Sequence, residues 1–300
     1  MRRYKFDMEL GAGALAASGT LGILIPPSIV FIFYGFMTEN SIGQLFIAGI
    51  VPGILTALVF AGVLFVRCLI NPKLGPPIPS PGWGVRFRSL ASVGPIAGLF
   101  VLIIGGLYLG IFTPTEGSGI GVIGVLLYGW LTKRISWAAL RDALEDTILT
   151  TVMIFAIVIG GHLIARFFAL TGITEMTIDL VAAMDLSPYV FILVLSLIYI
   201  LLGCVLDVFG MMLLTIPFVY PVVLSLGFDP IWFGVYVVVM AELALITPPI
   251  GVNVFIMNSI TPDTSSGRIF RGVLPFFCAE LVIIALLVAF PSIALYLTGR

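Results

Sequence analysis

Charge is what this chain has least of. Lys, Arg, Asp and Glu make up 10% of its 300 residues against 60% hydrophobic, and the mean hydropathy is +1.22. A soluble domain of this length does not carry that ratio, so the sequence predicts an all-α, multi-pass membrane protein. Histidine occurs once, and the three cysteines, Cys68, Cys204 and Cys278, stand far apart in apolar runs. That spacing offers neither a disulfide framework nor a metal site. With no nucleophile and base at workable spacing, hydrolysis and group transfer have little to draw on, and the chain is not read as an enzyme. Its basic residues form no tract for nucleic acid. Met1 to Ala17 has the outline of a cleavable signal, but Asp7 and Glu9 interrupt it and it runs straight into the next apolar segment, so it is kept in the mature chain.

What is plentiful is long apolar sequence. Windows able to cross about 30 Å of hydrocarbon fall at 11–37, 47–70, 90–112, 117–131, 147–170, 231–258 and 273–297. The stretch 188–224 is equally apolar but is divided by Gly203, Asp207 and Gly210 into halves too short for comfortable spans. A re-entrant hairpin with its tip near 206–211 is expected there, the alternative being two short spans joined by a surface turn. If the hairpin returns to its own side, twelve of the 14 Lys and Arg fall on one side, leaving only Arg166 and Arg300 opposite. That side is cytoplasmic. Trp130 and Trp232 fall near span ends, where interfacial anchors belong.

Two spans are broken alike. Leu24-Ile25-Pro26-Pro27 and Ile246-Thr247-Pro248-Pro249 place double prolines in mid-span. Proline lacks an amide hydrogen and its ring collides with the carbonyl four residues back, so the carbonyls of Gly22, Ile23, Ala244 and Leu245 should be freed. An ordinary proline kink is the plain alternative, but the duplication extends further. Phe6-Asp7 aligns with Phe228-Asp229 at the same offset of 222 positions that relates the prolines. Downstream, Ser41, Gly43, Phe46, Gly49 and Pro52 correspond to Ser265, Gly267, Phe270, Gly272 and Pro275. The copies run in opposite senses through the membrane, an inverted repeat of the kind found in secondary transporters. By this symmetry a first hairpin is expected ahead of Met1, and the chain is read as the carboxyl-terminal part of a longer transporter. The expected organisation is an incomplete first repeat at 1–70, a cytoplasmic Pro-rich linker at 71–89, scaffold spans with an outer interfacial helix at 90–186, and a second repeat at 187–300.

At a helix break, the amino end of the second half carries partial positive charge and free amides, while the first half ends in carbonyl oxygens. A carboxylate can meet the former and sodium the latter. In the first copy the groups at the break are Ser18, Thr20 and Ser28, with Gly19 and Gly22 beside Pro26 and Pro27. In the second they are Glu242, Thr247 and Asn253, with Gly251 beside Pro248 and Pro249. Such oxygen ligands suit a hard monovalent cation better than zinc or copper. Asp207 either caps the second hairpin helix or holds a cation. Glu242 has no capping role to explain it, and Glu280, in an unbroken span, reads as a paired structural acid.

The stretches Gly19 to Ser28, Leu206 to Gly210 and Glu242 to Gly251 resemble the large membrane subunit of the tripartite ATP-independent periplasmic (TRAP) transporters. The resemblance covers the whole chain. It implies an elevator-type fold in the bacterial inner membrane and sodium-coupled uptake of C4-dicarboxylates, sialic acid or other organic acids. A periplasmic binding protein would deliver the substrate, and a small four-helix membrane subunit would be the partner, with sodium as coupling ion and no other cofactor. It carries substrate and cation roles onto Ser18 to Ser28 and onto Gly203, Asp207, Gly210, Glu242, Thr247, Pro248, Pro249, Gly251 and Asn253, without fixing the sodium ligands. The rival readings are a truncated, inactive transporter fragment and, at greater distance, an ion channel, for which no ring-forming filter is visible.

Overall fold

A computed structural model describes residues 6–76, 82–184, 187–261 and 263–299, apart from the side chain of Ser92. The linker prolines Pro77, Pro79 and Pro81 lie outside the described residues. Among those described the chain is helical and contains no strand. It divides into two compact units, Met1–Pro77 with Val158–Arg300, and Ile78–Ile157.

In the larger unit the first broken span consists of α1 (Met8–Ser18), α2 (Leu21–Leu24) and α3 (Ile29–Thr38), with a bend of 42° at the prolines. Then comes α4 (Ile42–Ile70). The smaller unit holds α5 (Trp83–Tyr108), α6 (Pro114–Leu131) and the start of α7 (Trp137–Thr171). Residues 83–89, placed in the linker by sequence, are therefore helical. Thr113 and Glu116 close α6 with a reciprocal capping box, Glu116 Oε2 accepting from the Thr113 amide at 2.7 Å. The larger unit continues with α8 (Ile173–Ala183), α9 (Pro188–Gly203), α10 (Val208–Ser225), α11 (Pro230–Ile246), α12 (Val252–Ile260), α13 (Ser266–Ala289) and the short α14 (Ser292–Leu295). Among the described residues four helices, α4, α7, α10 and α13, are each long and apolar enough to cross a membrane, and up to six spans result if each bent pair counts as one.

The repeat reads out in the local structure. Asp7 and Asp229 are both helix N-caps, accepting from the amides of Leu10 at 2.8 Å and Ile231 at 2.7 Å. Ser41 and Ser265 occupy the N-cap positions of α4 and α13, and Pro52 and Pro275 lie inside those helices. Pro26–Pro27 and Pro248–Pro249 are both joined by cis peptide bonds. The copies run in opposite senses. Glu9 meets Arg268 at 3.6 Å and Gly13 meets Gly272, so α1 runs parallel to α13. The Trp232 indole donates to the Leu287 carbonyl at 2.9 Å, and ten residues on, Glu242 faces Glu280, so α11 is antiparallel to α13.

Helix α11 is the core. Every residue from Ile231 to Ile246 except Leu245 is buried, as expected of a helix that is apolar all round. Its neighbours include α2, α3, α4, α9, α10 and α13. Close approach is secured at Gly234, where an added β-carbon would come 2.6 Å from both Tyr34 and Leu45. The Tyr34 hydroxyl donates to the Pro230 carbonyl at 2.7 Å, tying α3 to the start of α11.

Two expectations need correction. Trp232 is not an interfacial anchor: it is buried at 1% exposure, stacked on Phe228 and Tyr236, with its indole N–H satisfied by α13. The last span does not run unbroken to Leu297. Helix α13 stops at Ala289, because Pro291 disfavours helical geometry at Phe290 and cannot donate to the carbonyl four residues back.

Candidate functional site

Both breaks end in side chains that take up the hydrogen bonds the prolines leave open. The Ser28 hydroxyl donates to the freed Ile23 carbonyl and accepts from the Phe31 amide at 3.3 Å, capping α3. In the second copy the Thr247 amide reaches the Ala244 carbonyl at 3.2 Å, and the Thr247 hydroxyl donates to the Leu243 carbonyl at 2.6 Å. Two of the four carbonyls that proline releases, those of Ile23 and Ala244, are therefore engaged within the chain. Ser28 is spent as a cap, whereas Thr247 keeps lone pairs free. Gly251 starts α12 in the left-handed region, φ 38°, and a β-carbon there would come 2.8 Å from the Phe270 ring, so only glycine fits.

The breaks meet. Asn253 Nδ2 donates to the Ala16 carbonyl at 3.1 Å, and a β-carbon on Gly19 would lie 3.2 Å from that same nitrogen. Ser18, Gly19, Gly22 and Pro27 of one break and Pro248 and Pro249 of the other are exposed, while Thr20, Pro26, Ser28, Thr247 and Gly251 are buried. The hairpin reaches the same neighbourhood. A β-carbon on Gly203 would come 2.6 Å from Ala244, and Phe209, beside the turn, meets Phe33 of α3 edge to face at 5.2 Å. At that turn Asp207 is exposed and accepts from the amides of Phe209 at 3.1 Å and Gly210 at 3.3 Å, so its carboxylate caps α10.

Beneath the breaks lies a group that sequence placed only in part. Glu242, at 0% exposure, faces Glu280 and the Thr20 hydroxyl, so the neighbour of Glu280 is another acid rather than a base. None of the four carboxyl oxygens has a hydrogen-bond partner of good geometry. An unmet buried polar atom costs about 1–3 kcal/mol, and two like charges in low dielectric cannot both persist without compensation. Nothing in the spacing of 242 and 280 announces this pairing; only the antiparallel register of α11 and α13 creates it. Elsewhere among the described residues, no three His, Cys, Asp or Glu side chains converge as metal ligands.

This arrangement of paired, broken and inverted helices has a family. Residues 1–293 match the profile described as "Tripartite ATP-independent periplasmic transporter, DctM component". The chain belongs to that family. The C4-dicarboxylate TRAP transporter large permease protein DctM of Pseudomonas aeruginosa is 33% identical over 99% of this chain and 69% of its own length. The sialic acid TRAP transporter large permease protein SiaM of Vibrio cholerae is 28% identical over 99% of the chain and 69% of its length. The ectoine/5-hydroxyectoine large permease protein UehC of Ruegeria pomeroyi is 30% identical, covering 92% of the chain and 64% of that protein. As a DctM-type subunit this protein is an integral inner-membrane permease component, in keeping with its apolar spans.

Proposed function

We propose that this DctM-type chain forms the translocation site of a sodium-coupled TRAP transporter that takes up an organic acid. The observation that carries the reading is the meeting of two oppositely running broken helices through Asn253 and Ala16. The amino ends of α3 and α12 offer amides and partial positive charge to a carboxylate. Ser18, Thr20, Thr247 and Asn253 offer oxygens and a carboxamide beside them. The related permeases are named for C4-dicarboxylates, sialic acid and ectoine, which supports a carboxylate as the shared chemical handle. The reading includes a re-entrant second hairpin, an elevator-like movement of hairpin and broken helices, a small membrane subunit and a periplasmic binding protein that hands over the solute.

The test is uptake into proteoliposomes holding the complete system, with labelled succinate as the C4-dicarboxylate probe. Uptake driven by an inward sodium gradient is expected, with little under an equal potassium gradient. Equal uptake without sodium would overturn the coupling, and uptake of none of succinate, sialic acid or ectoine would overturn the substrate class.

A further inference from the structure

Among the described residues, five buried side-chain oxygens lack a hydrogen-bond partner, and all belong to Glu242, Glu280 and Thr56. Thr56 joins the two acids by register. On α4 it lies one turn before Phe60, whose ring sits 5.4 Å from that of Phe276, and Glu280 lies one turn after Phe276 on α13. Leu45 packs on Gly234 near the start of α11, where Trp232 meets Leu287 late in α13, whereas Phe60 further along α4 meets Phe276 earlier in α13, so α4 runs with α11 and against α13. One turn back on α4 and one turn forward on α13 therefore bring Thr56 and Glu280 to the same depth. From α2 the group facing Glu242 is Thr20, whose hydroxyl gives its proton to the Ala17 carbonyl at 2.8 Å and keeps its lone pairs.

We infer that Glu242, Glu280, Thr20 and Thr56 form a buried cation site in which one sodium ion and one proton compete for the same carboxyl oxygens. The ligand set is all oxygen and carries two potential negative charges, which suits a small hard cation. Electrical neutrality requires two positive charges there: two protons, or one proton and one sodium. No basic side chain interacts with either acid among the described residues. Of the two cations on α13, Arg271 is exposed and Arg268 pairs with Glu9 at 3.6 Å. On α11 the Tyr236 hydroxyl is engaged with Ser196 at 2.8 Å, and on α9 the Tyr199 hydroxyl is engaged with Thr215 at 2.9 Å. From α12, Asn253 is spent on Ala16. What remains to satisfy the pair is a proton shared between the two acids or a cation that takes a proton's place.

Sodium is chosen because of the transport reading above, yet the test needs neither substrate nor gradient. Dicyclohexylcarbodiimide, which adds to protonated carboxyls in apolar surroundings, is applied to the purified chain in detergent, and modified residues are located by mass spectrometry. Modification is expected at both Glu242 and Glu280 without sodium; because the sodium-bound pair keeps one proton, sodium at about ten times its dissociation constant should lower the adduct about tenfold at the acid that gives up its proton, and choline should not. Half-protection should move to higher sodium by up to about tenfold per unit fall in pH, because a proton leaves as sodium binds. In Glu280→Gln, Glu242 should still react while protection by sodium is lost. Equal modification in sodium and choline would overturn the proposal, as would no modification of a monodisperse wild-type chain. Lost protection with intact sodium-driven uptake sinks this site alone; intact protection with sodium-independent uptake sinks the coupling alone.

Discussion

Asn253 and Asp207 each hold backbone in place at positions where a transport role is also proposed. Among the described residues Asn253 makes the only side-chain hydrogen bond between α12 and α1. Asn253→Ala leaves the Ala16 carbonyl short of a donor, so a loss of about 1–3 kcal/mol is expected, visible as a lower melting temperature in detergent. Asp207 separates its two roles more cleanly, because asparagine caps a helix about as well as aspartate while alanine costs about 1 kcal/mol. Melting should be unchanged in Asp207→Asn and lowered in Asp207→Ala. If the charge also attends a cation at the hairpin turn, Asp207→Asn loses uptake while keeping its stability. Full uptake by the asparagine variant would reduce Asp207 to a cap.

The crossing of α1 and α13 joins the two repeats through bare backbone. A β-carbon at Gly272 would overlap the Glu9 carbonyl, and one at Gly13 would overlap Gly272 itself. Because backbone on both sides cannot yield, Gly272→Ala should cost at least about 1–3 kcal/mol, whereas Gly267→Ala, on the same helix in open space, should be nearly silent. Thermal unfolding of the two variants side by side checks this. Glycine was legible in the sequence as part of the repeat, but which glycine faces another backbone was not. The breaks and the alignment of Asp7 with Asp229 could be read because proline and Phe-Asp recur at one offset, and the turn before α10 because Gly203, Asp207 and Gly210 interrupt an apolar stretch; that both aspartates are N-caps came only with the structure. Trp232 was misplaced because its distance from the span end says nothing of what packs outside it. The pairing of Glu242 with Glu280 was hidden for a related reason: it depends on the register of helices distant in sequence, which no short-range pattern encodes.

The charge carried through the membrane is fixed by how many cations accompany the solute, and under the proposed reading the two breaks hold two sodium ions. With two, a dianion crosses without net charge and a monoanion brings one positive charge inward. One charge is worth about 2.3 kcal/mol per 100 mV, and about 1.36 kcal/mol corresponds to a factor of ten. A sodium-for-proton exchange at the Glu242–Glu280 pair adds nothing to this balance, since the charge entering with sodium leaves with the proton. If the cation count belongs to the protein rather than to the solute, an inside-negative potential of 100 mV must favour a transported monoanion over a transported dianion by about 50-fold in accumulation, whatever the absolute count. A valinomycin-clamped potassium gradient across proteoliposomes measures it. Equal responses for the two solutes would mean that the solute recruits its own cations, and the fixed sites argued for at the two breaks would then not be setting the stoichiometry.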